Sequence, residues 1–123
     1  MDDERFWSMI EDAWQSVDDS ARLREKLARG KLSEEDASEL AEQAPGEFVP
    51  ALKVMLEQLP EEELLQFDRI LERKLFDIDR ADVQEHTDGS DDGFLYCRGF
   101  IVAMGRAYYE AVSADPSDRK SVV

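Results

Sequence analysis

Apolar residues recur along most of this chain at spacings of three and four, the period of an amphipathic helix. Phe6, Ile10, Ala13 and Val17 form the first such stripe, with Trp7 and Trp14 one heptad apart beside it, and they predict a helix over residues 3–17. Asp2, Asp3 and Glu4 suit the positive end of that helix. A short second helix, capped by Ser20, presents Leu23 and Leu27 inward and Arg22, Arg24, Lys26, Arg29 and Lys31 outward, and stops near Gly30. Ser33, followed by Glu34, Glu35 and Asp36, reads as the N-cap of a third helix with Ala37, Leu40, Ala41 and Ala44 on its apolar side; Pro45 and Gly46 are expected to end it.

Phe48, Leu52, Met55, Leu56 and Leu59 predict a fourth helix, with Pro50 tolerated in its first turn, where backbone N–H groups have no partner in any case. Pro60 closes that helix and opens the longest one, whose stripe of Leu64, Phe67, Leu71, Leu75 and Ile78 runs to about Asp79. The period returns with Phe94, Cys97, Ile101, Met104 and Tyr108, broadened by Leu95, Val102 and Tyr109. A helix apolar around so much of its circumference is expected to be central, and Gly99, Ala103 and Gly105 to allow close backbone approach. Residues 94–102 also admit reading as a buried strand, but the helical stripe continues for two further turns. The prediction is a single all-α domain over residues 1–123, an irregular bundle of about five or six helices with a central C-terminal helix, and a flexible tail at 115–123.

Charge narrows the function classes. Acidic residues outnumber basic ones by 30 to 15 and no long basic run occurs, which disfavours direct nucleic-acid binding and an anionic membrane surface. A basic protein or a cation is the partner such a surface fits, and an acidic surface that only keeps the protein soluble is the plainer alternative; the acids Glu34, Glu35, Asp36, Glu39, Asp77, Asp79, Asp82 and Glu85 are the candidate interaction surface. The opposed charges of residues 22–31 and 34–63 also suit self-association; the sequence leaves monomer and homodimer open. No basic start with a continuous apolar run marks a secretion signal, and no stretch is long enough to span a bilayer. With Cys97 as the only cysteine, a reducing cytoplasm is the expected location.

The densest acid lies at Asp77, Asp79, Asp82, Glu85, Asp88, Asp91 and Asp92. Asp88, Ser90 and Asp92, followed by Gly93, match the first half of a calcium loop, but Gly99 stands where its closing glutamate belongs, so an EF-hand is excluded and a weak, non-standard cation site is the surviving form. Capping explains the same residues without a ligand, with Ser90 as N-cap and Asp91 and Asp92 in the first turn. Ser90, Asp91, Asp92, Arg98 and Arg106 are the candidate functional cluster, either a hydrolase-type cleft or structural ion pairs involving Glu110 and other acids. His86, the one histidine, permits no His-pair metal site, and Cys97 on an apolar stripe reads as core rather than nucleophile. Trp7, Trp14, Phe100, Tyr108 and Tyr109 read as core, and no cofactor is expected.

SDDGF at residues 90–94, with Tyr96, Arg98, Gly99, Phe100, Ile101, Gly105, Arg106 and Tyr109, resembles the C-terminal signature of the bacterial domain-of-unknown-function family numbered 4240. Phe6, Trp7 and Ile10 look like its opening motif, and residues 59–67 resemble its middle. The resemblance implies a helical fold and no established function. The sequence departs from the family at residues 80–89, RADVQEHTDG, where such domains carry an apolar and aromatic stretch, and at Cys97, where a larger aromatic is expected and its absence implies local repacking.

Overall fold

The computed structural model describes residues 1–85 and 91–115, with the side chains of 91–96 excepted. The described residues form an irregular all-α bundle: α1 (Asp3–Trp14), α2 (Ser20–Ala28), α3 (Glu34–Gln43), a π-helical stretch (Ala44–Phe48), α4 (Val49–Glu57), α5 (Glu61–Asp77), α6 (Ala81–Gln84), α7 (Asp91–Ala103) and α8 (Arg106–Ala114). The tail beyond Asp115, expected to fray, lies outside the described residues.

Helix α1 is as central as α7. Phe6, Trp7, Met9, Ile10, Ala13 and Trp14 are all buried, so more than one side of this helix meets neighbours. Phe6 packs its ring 4.8 Å from Phe67 of α5, and Trp14 stacks on Phe48 at 4.5 Å while its indole N–H donates to the Ala103 carbonyl at 2.7 Å. Helix α7 buries Cys97, Phe100, Ile101 and Val102, which span most of its circumference.

Three expectations about where helices begin and end are corrected. The first helix ends at Trp14, because the chain then turns through Asp19, which has a left-handed φ of 62°. Ser20 is the first residue of α2 and not its cap; its hydroxyl donates 3.0 Å to the Trp14 carbonyl at the end of α1, which also accepts from the Val17 N–H at 2.9 Å. Pro45 and Gly46 do not end α3, since the Val49 N–H reaches back five residues to the Ala44 carbonyl and the wider π turn carries the helix into α4.

The C-terminal helix is two helices. Gly105 adopts φ 102°, a conformation closed to L side chains, and the chain turns there so that α8 packs back on α2 and α7. Gly105 is also the close approach that small residues allow: a Cβ there would lie 2.6 Å from Glu11 Oε1 and 2.9 Å from Arg24 Nη1. Gly99 is not one, because it is exposed and nothing lies within 4 Å of where its Cβ would stand.

Helix α5 is more open than its stripe implies. Phe67 is its one buried residue; Ile70, Leu71 and Leu75 are partly buried against the core, and Leu64 is exposed. No helix among the described residues is long and apolar enough to cross a membrane.

Candidate functional site

The cluster proposed from sequence is divided among different elements. Arg98, on α7 and largely buried, donates from Nη1 to the Leu75 carbonyl at 3.0 Å and stands 3.6 Å from Asp79 Oδ2. A cation at the carbonyl end of α5 is favoured by the helix dipole, so this side chain joins α7 to the end of α5. Arg106 is exposed and its Nε donates to Glu110 Oε1 one turn along α8 at 2.9 Å. That hydrogen bond, reinforced by the negative charge of Glu110, holds the Arg106 guanidinium above its ordinary pKa. Asp91 and Asp92 open α7 in the backbone, but their side chains, together with Asp88, Ser90 and His86, lie outside the described set. The proposed cation trio therefore has no described side-chain geometry. Among the described residues no group of three His, Cys, Asp or Glu side chains is arranged to hold a metal ion. Cys97 is a free thiol buried at 2 % exposure.

The acidic surface separates into two kinds of carboxylate. Asp36 faces the bases of α2, 3.8 Å from Arg22 and 3.7 Å from Lys26, so part of the opposed charge of α2 and α3 is neutralised inside the chain. Asp79 holds Arg98; Asp82 holds Arg80 at 3.0 Å and accepts from the Val83 N–H, and the Arg80 hydrogen bond keeps its carboxyl below the usual range. Arg80 in turn donates 2.9 Å to the Ser113 carbonyl, which ties α6 to the end of α8. Glu34, Glu35, Glu39, Asp77 and Glu85 are exposed and enter no ion pair among the described residues.

Two arrangements escape sequence reasoning because each joins residues far apart in the chain. In the first, the Arg24 guanidinium lies over the Trp14 ring at 5.2 Å, donates to both Glu11 oxygens at 2.8 and 2.7 Å, and reaches the Met104 carbonyl at 3.1 Å. Beside it opens a cleft of about 580 Å³ that also takes in Gln15, Asp19 and Arg22. Its charged groups already have internal partners: Glu11 binds Arg24, and Arg22 holds Asp19 through Nε at 2.9 Å. In the second, the Lys74 ammonium sits 5.8 Å above the Trp7 ring and 5.9 Å above that of Tyr109, and pairs with Asp3 at 2.8 Å. The Tyr109 hydroxyl donates to the Lys74 carbonyl at 2.9 Å, and burial, with the charge of Asp77 adding to it, pushes the phenol up to about 12.

Sequence reasoning also passed over the apolar residues that face water. Val49 and Val54 of α4, and Leu64, Leu65 and Phe76 of α5, are exposed, Phe76 by 74 %. A signal for two of them existed: Leu65 and Phe76 fall eleven residues apart on the side of α5 opposite Phe67.

No match was found among curated proteins or solved structures. A family model, described as a protein of unknown function, DUF4240, matches residues 35–122; the SDDGF element and residues 59–67 fall inside that span, and Phe6, Trp7 and Ile10 fall outside it. This all-α chain, its arginines Arg98 and Arg106 bound to separate elements, belongs to the DUF4240 family.

Proposed function

We propose that the chain is a non-catalytic cytoplasmic module that docks a basic segment of another protein along the outer side of the α3–α4 run. One observation carries this reading. Glu34, Glu35, Glu39 and Glu42 stand exposed on α3 with no ion pair among the described residues, and the same helical run then presents Val49 and Val54 with about half their surface in water, 51 % and 55 %. Carboxylates followed by two exposed valines suit a basic segment carrying apolar residues, whose lysines and arginines would meet the acids while apolar side chains cover the valines. The long-range field of a chain with net charge −15 would speed the encounter and disfavour anionic partners.

The cation reading at Asp88, Ser90 and Asp92 and the hydrolase reading of Asp91, Asp92, Arg98 and Arg106 keep only their sequence basis. The docking reading is tested by affinity capture from cell lysate at low and high salt, using the native chain and an E34K/E35K/E39K variant. A basic protein held by the native chain at low salt, and released both by salt and by the charge reversal, is the expected result. Capture that ignores both changes overturns the proposal.

A further inference from the structure

We infer that the outer face of α5 is a self-complementary docking surface for a second copy of this chain. The inner face of the helix is committed to the fold, with Phe67 buried and Ile70, Leu71 and Leu75 packed against the core. On the opposite side Leu65 and Phe76 are 52 % and 74 % exposed. Successive residues turn about 100° around a helix axis, so positions eleven apart return to nearly the same line, and Arg69 and Glu72 fall between them on that line. A lone exposed apolar residue is ordinary, but two aligned on the side where an amphipathic helix should be polar mark a contact.

The charges on this line are the second observation. Every other arginine among the described residues is in an ion pair. Arg69 and Arg73 are not, although Glu72 and Asp77 lie within one turn of them, and with Phe76 these four line an open groove of about 630 Å³. A partner of one charge sign would satisfy the arginines and repel against the carboxylates, or the reverse. A second copy offers Arg73 a carboxylate and Glu72 a guanidinium at once. When two α5 helices meet antiparallel about a two-fold axis between positions 72 and 73, Glu72 stands opposite Arg73 of the partner copy. Arg73 then stands opposite Glu72 of that copy, and each Phe76 ring receives the other copy's Arg69. The contacts are reciprocal, as a two-fold interface requires, and the arginine over the ring is a favourable cation–π pair.

From Leu65 to Phe76 the face is about 17 Å long at the helical rise, short of a standard interface, and the net charge opposes association. The dimer is therefore weak and concentration-dependent.

Sedimentation velocity of the full chain, from about 10 µM to about 1 mM at moderate salt, spans the range where such an interface assembles. The expected result is a rise from monomer to dimer mass, with F76A weakening association about tenfold or more. The decisive arm mixes two variants. E72R and R73E each place like charges opposite one another and remain monomeric alone, whereas in equal mixture both cross-contacts become attractive and a heterodimer forms. Circular dichroism of each variant checks that the helices are intact. A native chain that stays monomeric throughout, an F76A chain that associates as the native one does, or a mixture that fails to pair each overturns the inference.

Discussion

Arg24 and Arg73 are the same residue type, each on an amphipathic helix with carboxylates close in the sequence or in space, and their fates are opposite. Around Arg24 two other parts of the chain converge: α1 supplies both Glu11 oxygens and the Trp14 ring beneath the guanidinium, and the Met104 carbonyl comes from the end of α7. Around Arg73 the groove is lined by α5 residues alone. Ion pairs within one exposed helix are worth only about 0.3–0.5 kcal/mol, too little to fix a long side chain. Arg24 becomes part of the fold because other elements close on it; Arg73, with only its own helix around it, stays available.

The strongest challenge to this contrast is Gly105→Ala, which attacks the junction that Arg24 holds. The methyl must push apart the Glu11–Arg24 pair and also occupy a φ of 102°. Backbone strain of about 1–2 kcal/mol and crowding of similar size add to a loss of about 3 kcal/mol in urea unfolding. A loss under 1 kcal/mol, on the order of an ordinary substitution, would mean the junction is loose.

Tyr109→Phe probes the bond between α8 and α5. Losing the hydroxyl donor to the Lys74 carbonyl should cost about 1 kcal/mol near neutral pH. The pH response is the sharper readout. The folded phenol titrates at about 12 instead of 10.0, so its stabilising contribution is complete below pH 10.0 and is lost as pH rises through about 12. Urea titrations above pH 10.0 should show native stability falling more steeply than that of the phenylalanine variant; parallel curves would contradict the burial of Tyr109.

The smallest effect has the opposite sign. Gly99 lies within α7, exposed, with free space where a Cβ would stand, so Gly99→Ala should stabilise the chain by about 0.5–1 kcal/mol in the same unfolding assay. Destabilisation would show that α7 uses this position for a contact.

Helical periodicity made most of the architecture legible, because the apolar stripes of α1 and α7 are long and uninterrupted and even short α2 keeps its pair; Phe6, Leu23 and Ile101 are buried as their spacing requires. Ser33 was legible for a local reason: its hydroxyl accepts from the Asp36 N–H three residues on. The failures have local and non-local causes. Pro45 and Gly46 carry strong stop signals that a π turn absorbs, and Gly105 breaks a stripe that continues on both sides because tertiary packing of α8 on α2 decides the matter. Of the candidate site, the sequence offered residue types and charge density. It offered no pairing between Arg98 and the Leu75 carbonyl, twenty-three positions apart, nor the eighty that separate Arg24 from Met104.

Both tryptophans of the chain ride on α1, and both are buried. Their emission is therefore the optical signature of that one helix: Trp14 reports its stack on Phe48 and its bond to Ala103, and Trp7 the Lys74 ammonium over its ring. Indole fluorescence should shift to the red only when α1 loses its neighbours. A molecule settling on the outer sides of α3, α4 or α5 would leave the emission colour unchanged, so docking there is dark to intrinsic fluorescence while unfolding is bright.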